Sequence, residues 1–152
     1  MNSWPELSLQ RIEDYHSCFG CGKDNPIGLK LIFKWDGHTA RAEFTPSDLY
    51  QGWPGILHGG IMACIMDEAM SYAALYEVGH CVTARMQIKL QQAVAVGKTL
   101  LITASVSRRT RKLVDTVAAV ALPDGTVLAE SNGTHYIVNN NVGPGLGKMT
   151  SP

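Results

Sequence analysis

A chain of 152 residues, 45% hydrophobic and 17% charged, has the length of one domain and enough apolar material to build its own core. Its 13 basic residues balance its 13 acidic ones, which argues against a general nucleic-acid binder, because those carry a basic excess. No apolar run reaches the ~18 residues of a membrane span, and the opening MNSWPELSLQRIEDY lacks the basic patch and apolar run of a secretory signal. The expected setting is therefore the cytoplasm, with Cys18, Cys21, Cys64 and Cys81 as free thiols.

Residues 1–17 read as a short amphipathic lead-in, with a turn or two of helix after Pro5. CFGCGKDNPIG (18–28) is dense in Gly, Asn and Pro and reads as a loop. Cys18 and Cys21 have the spacing of half a zinc site, but such a site needs two further ligands. His16 is close enough to be a third, while Cys64 and Cys81 are remote in sequence. The preferred reading is a tight turn with packed thiols and no metal. LKLIFKWDG (29–37) and TARAEFT (39–45) alternate around Asp36-Gly37, which predicts a hairpin.

PSDLYQGWPG (46–55) is an irregular connection. An Ala- and Met-rich segment from Gly59 to Glu77 predicts a long helix, with Gly79 in place for a C-terminal cap. In CVTARMQIKLQQ (81–92), Val82, Ala84, Met86, Ile88 and Leu90 alternate with Thr83, Arg85, Gln87 and Lys89, so the first set should be buried and the second polar. KTLLITASVSR (98–108), KLVDTVAAVAL (112–122) and TVLAESNGTHYIVN (126–139) follow as further strands, and the short connections predict an antiparallel meander of all four. The Asn/Gly/Pro-rich tail, 140–152, is expected to be disordered. The order gives an α+β fold in one domain, 18–139: a long central helix wrapped by a curled antiparallel sheet of about five to six strands. An uncovered edge or face of that sheet predicts an oligomer.

The stretch PGILHGGIMACIMDEAM (54–70) is chemically unusual, because two acids stand inside an apolar helix. At 100° per residue, Gly60, Cys64, Asp67, Ser71 and Ala74 share one small, polar stripe, with Glu68 on the neighbouring one and Met62, Met66, Ala69 and Ala73 opposite. Gly59 and Gly60 leave the first helical N–H groups unobstructed, a place to receive a carbonyl oxygen or a developing oxyanion. The same residues also suit a tight strand-to-helix turn beside an acid satisfied by neighbouring backbone.

His58-Gly59-Gly60 with Asp67 nine positions after the histidine resembles the hotdog-fold acyl-CoA thioesterases, in the branch of the phenylacetate-pathway enzymes and the human thioesterase-superfamily members. YQGWPGILHGG and CFGCGKDNPIGLKL also look like that branch, and the likeness runs over about residues 18–138. The resemblance implies hydrolysis of an acyl-CoA to a carboxylic acid and CoA, with coenzyme A as part of the substrate and no separate cofactor. It implies a homodimer or homotetramer whose sites lie between subunits. Carried over by position, Gly59 or Gly60 would polarise the thioester carbonyl, His58 would orient it, and Asp67 of the partner helix would be nucleophile or general base. Thr83 would place the water. Some relatives carry an asparagine shortly before the His-Gly-Gly; here Gln51 stands nearby at a different offset. Glu68 is the competing acid. Arg108, Arg109 and Arg111, with Lys112, form a basic turn suited to the CoA phosphates or simply exposed to solvent. A non-catalytic acyl-CoA sensor on the same fold is the alternative, whereas the Asp/His pattern of a hotdog dehydratase is not evident.

Overall fold

The structure, a computed structural model, describes residues 15–139. The turn expected after Pro5 and the tail 140–152 lie outside the described residues. Helix α1 (Gly59–Val78) runs one residue further than the sequence suggests. Gly79 then ends it at φ 111°, donating its N–H to Leu75 O at 3.0 Å. Few L-residues adopt that backbone conformation, so glycine is the natural stop. Met62, Ile65, Met66, Ala69, Met70 and Ala73 are buried, while Cys64, Asp67, Glu68 and Ser71 on the other side are half-buried.

The buried side of α1 rests on a six-stranded sheet, antiparallel at every pairing. Its strands are β1 (Lys34–Trp35), β2 (Thr39–Phe44), β3 (His80–Leu90), β4 (Leu100–Arg109), β5 (Leu113–Ala121) and β6 (Val127–Asn139). Alternate residues of the middle strands face the helix: Leu100, Ile102 and Ala104 of β4, then Val114, Thr116, Ala118 and Val120 of β5. No helix among the described residues is long and apolar enough to cross a membrane.

The strand order β1-β2-β4-β5-β6-β3 corrects the expected four-strand meander. Of those four strands, only β4, β5 and β6 are joined by tight turns. The segment between β3 and β4 is no hairpin: Leu57 donates to Val94 O at 2.7 Å and Gly97 to Pro46 O at 2.8 Å, so it crosses beside the start of α1. β3 therefore pairs with β6 alone and forms an edge eleven residues long. The expected first strand is also shorter than its alternation suggests. Leu29, Leu31 and Phe33 are buried in period two, yet only Lys34–Trp35 enters the ladder. The rest packs directly on the helix, with Phe33 stacked on Tyr72, and Trp35 at the end of the ladder stacks on Tyr76.

The expected burial of β3 is corrected as well. A register shift lies between Thr83 and Arg85. Before it, Thr83 pairs with buried His135; after it, Met86 and Ile88 pair with buried Gly133 and Ser131. Ala84 is the extra residue, exposed rather than buried. A bulge of this kind changes which phase of a strand points inward. Thr83 thus joins the helix-facing side with Met86 and Ile88, although strict alternation assigns it to the polar face.

Candidate active site

The start of α1 presents less open backbone than its two glycines suggest. His58 is the N-cap: its Nδ1 accepts the N–H of Gly60 at 2.8 Å, and its carbonyl accepts Ile61 at 3.0 Å and Met62 at 3.1 Å. Side-chain capping of this sort satisfies helix donors that have no internal partner. Of the first four helical N–H groups, that of Gly59 is the one with no partner among the described residues, and Leu90 Cδ1 of β3 is 3.4 Å from where its β-carbon would stand. Because Nδ1 is the acceptor, a neutral His58 ring carries its proton on Nε2. Gln51 and His58 share a hollow of about 490 Å³ with Gly52, Trp53, Leu57 and Gly59. The Gln51 Oε1 accepts Gly55 N–H at 2.9 Å, which leaves its NH₂ as donor. Leu49 and Trp53, 86% and 83% exposed, flank this end of the helix.

Asp67 is held by a chain of groups that crosses the sheet. Thr83 Oγ1 donates to Asp67 Oδ1 at 2.7 Å and lies 3.4 Å from His135 Nδ1; His135 Nε2 lies 2.8 Å from Thr116 Oγ1. Both His135 and Thr116 are fully buried. Burial holds the His135 pKa below its ordinary value, against the pull of the Asp67 and Asp115 carboxylates, so the ring is neutral. The hydrogens can then be assigned. The single proton of Thr83 goes to Asp67, so His135 Nδ1–H faces Thr83 and bare Nε2 accepts Thr116 O–H. Every hydrogen in the chain points toward Asp67, an arrangement in which each bond polarises the next. Asp67 Oδ2 has no partner among the described residues. His135 was not anticipated from the sequence. The signal was there, in the two-residue step that aligns it with Ala129, Ser131 and Gly133 on the inward side of β6.

Other expected site residues lie elsewhere. Glu68 turns from Asp67 toward the loop before β1, where Cys18 Sγ is 3.6 Å from its Oε1, and burial raises its pKa to about 7. Arg108, Arg109 and Arg111 are exposed on the β4–β5 turn, near Cys81 and the far end of the helix. Within one chain Gly59 and Asp67 are eight residues apart on one helix, about 12 Å along its axis. A single carbonyl cannot touch both. A further hollow, about 990 Å³, is on the outer face of the sheet among Thr39, Arg41, Thr103 and Asn132, and contains none of these groups.

The sequence pattern of the thioesterase superfamily matches residues 54–129, the span that holds the His-Gly-Gly, Asp67 and Thr83. The acyl-coenzyme A thioesterase THEM5 of Mus musculus is 31% identical over 91 residues, which is 59% of this chain but only 37% of that protein, so the chain spans well under half of this relative's length. Among solved structures, zebrafish thioesterase superfamily member 2 superposes with a TM-score of 0.68 at 21% identity, covering 86% of this chain and 98% of that one. A Streptococcus mutans protein solved with acetyl-CoA bound gives 0.69 at 16% identity, over 72% and 90% of the two chains. The family pattern over half of the chain and the superposable fold agree, and the chain belongs to the thioesterase superfamily, with its hotdog fold.

Proposed function

We propose that the chain is an acyl-CoA thioesterase that hydrolyses the thioester to a carboxylic acid and CoA, with its site completed by a second copy of itself. The observation that carries this reading is the half-buried Asp67, one oxygen fixed by Thr83 and the other open. In the reaction Asp67 Oδ2 takes a proton from water as the water oxygen bonds to the thioester carbon. Negative charge developing on the carbonyl oxygen is met by Gly59 N–H, with His58 Nε2–H beside it. The C–S bond then breaks, and the proton held by Asp67 passes to the departing thiolate. Direct attack by Asp67 through an anhydride is the other route for the same carboxylate.

The need for two copies follows from the 12 Å separation within one helix and from the open edge of β3. Antiparallel pairing of β3 with its own copy sets the Thr83 end of one strand beside the Leu90 end of the other. Leu90 touches the position of Gly59, so the pairing would carry Gly59 of one copy toward Asp67 of the other. The basic turn joins β4 and β5, two to three strand spacings from the Thr83 end of β3, about 10–14 Å. It is on the side where the second copy's His-Gly-Gly would lie, as contact with CoA phosphates requires. The exposed Leu49 and Trp53 would offer apolar surface to the acyl group.

The first experiment follows thiol release from short, medium, long and aromatic acyl-CoAs with wild type and Asp67→Asn. Turnover by wild type, lost in the variant while binding is retained, supports the reading. Binding without turnover on every member moves the protein to a non-catalytic acyl-CoA sensor. Mixing Asp67→Asn with a Gly59→Val variant tests the shared site: mixed pairs regain activity only if Gly59 and Asp67 act from different chains.

A further inference from the structure

Three groups that the thioester chemistry does not use converge between the loop before β1 and helix α1. One ligating atom each from Cys18, Cys21 and Glu68 lies within 4.8 Å of the others. The backbone is shaped to permit it. A β-carbon at Gly20 would stand 2.5 Å from Glu68 Cδ and Oε2, so any side chain there would displace the carboxylate. A β-carbon at Gly22 would collide with His16 O and the Cys18 backbone, in a turn closed by Gly22 N–H donating to Cys18 O at 2.8 Å. Cys18 Sγ lies 3.6 Å from Glu68 Oε1, so thiol and carboxylate share a proton across the loop and the helix. No ion pair of Glu68 with Lys, Arg or His is found among the described residues, and no cation is among the main influences on the two thiols. Three acids therefore meet without a countercharge, and only shared protons hold them together unless a cation replaces them.

We propose that Cys18, Cys21 and Glu68 bind a thiophilic divalent cation, with Zn²⁺ the best fit. Two thiolates select against Ca²⁺ and Mg²⁺, and a carboxylate is an accepted third zinc ligand. Tetrahedral zinc holds such ligand atoms roughly 3.5–3.8 Å apart, so closing the observed cluster needs a contraction of no more than about an ångström. The fourth position falls to water or to the Tyr72 hydroxyl, which faces Cys21. His16, the third ligand suggested by sequence proximity, instead pairs with Asp24 at 3.7 Å. Glu68 takes that place from 50 residues away, so the ion would clamp the loop to α1 beside Asp67. The clamp does not depend on the thioesterase reading.

The test uses untagged full-length protein, purified under reductant, stripped with chelator and titrated with Co²⁺ and then Zn²⁺. The expected result is one equivalent of Co²⁺, with thiolate-to-cobalt charge transfer and tetrahedral ligand-field bands that Zn²⁺ abolishes. Cys18→Ser and Cys21→Ser should each remove the charge-transfer band, and Glu68→Gln should weaken affinity by about tenfold or more. Cys64→Ser, which alters a thiol outside the trio, should leave both unchanged. Zn²⁺ should also raise the melting temperature of wild type by mass action. If the serine variants fail to fold, the near-isosteric Glu68→Gln, which retains both thiols, carries the test. The proposal is overturned by the absence of stoichiometric metal binding, or by affinity unchanged in Glu68→Gln. It is equally overturned by a protein that ignores metal when reduced and forms a Cys18–Cys21 disulfide in air, which would mark a redox pair.

Discussion

Thr83 Oγ1 donates to Asp67 Oδ1 at 2.7 Å, from a strand whose alternation alone would turn Thr83 away from the helix. The contact fixes one carboxylate oxygen and aims the other. Asp67→Asn should lower kcat by about 10²–10⁴-fold, the usual contribution of a positioned base, with KM little changed. Thr83→Val should give a smaller loss and Thr83→Ser should retain most activity. Steady-state thiol release on one turned-over acyl-CoA measures all three; an Asn variant as fast as wild type would remove Asp67 from the mechanism.

His135 supports Thr83 from inside the sheet. His135→Val leaves the Thr116 hydroxyl buried without its acceptor, at a cost of about 1–3 kcal/mol, readable as a lower urea midpoint.

The same histidine sets a pH dependence. Its folded pKa is below the ordinary 6.5, so the unfolded chain binds the proton first as pH falls. The His135 contribution to stability therefore declines on going from pH ~7.5 to ~5.5, while Glu68, with its raised pKa, contributes in the opposite direction. His135→Gln cannot take up that proton and should lose less stability, or gain more, than wild type across the same window, judged by the difference between the two denaturation series. Equal slopes would mean the ring titrates normally.

His58 combines a helix cap with a place beside the open amide. His58→Ala should lose about 0.5–2 kcal/mol of stability. His58→Asn should recover most of that as a capping residue but not the activity, because it lacks Nε2–H. Thermal melts set beside kcat/KM separate the two roles.

Gly133 is where helix, bulge and histidine come closest: a β-carbon there would lie 3.2 Å from Met70 Sδ and 3.3 Å from Arg85 O and His135 Nε2. Gly133→Ala should destabilise by about 1–3 kcal/mol, as overpacking does. Gly59→Ala meets only Leu90 at 3.4 Å, so it should fold normally and show its effect in turnover. Chemical denaturation of both variants checks the contrast.

Much of this arrangement was legible in the sequence because its signals are local. Gly79 marks the helix end, Asp36-Gly37 the hairpin, and the spacing from His58 to Asp67 the two parts of the proposed site. What failed was long-range. The segment between β3 and β4 gives no sign that β3 will seek β6, and an extra residue in a strand leaves no mark on its composition, so Ala84 was assigned to the wrong face. His135 reaches Asp67 only through Thr83, across 52 residues of chain. Glu68 meets Cys18 across 50. Contacts of that span depend on the assembled sheet, not on neighbouring letters.

The bulge at Ala84 makes β3 a strand with two reading frames. The stretch before it is in frame with the acid, and the stretch after it is in frame with the core. Deleting that alanine would restore a regular strand in which Thr83 still stands opposite His135, and Met86 and Ile88 opposite Gly133 and Ser131, so both alignments would survive. A residue added or lost between Met86 and Ile88 would not be absorbed in this way: it would turn one of those two side chains away from the core.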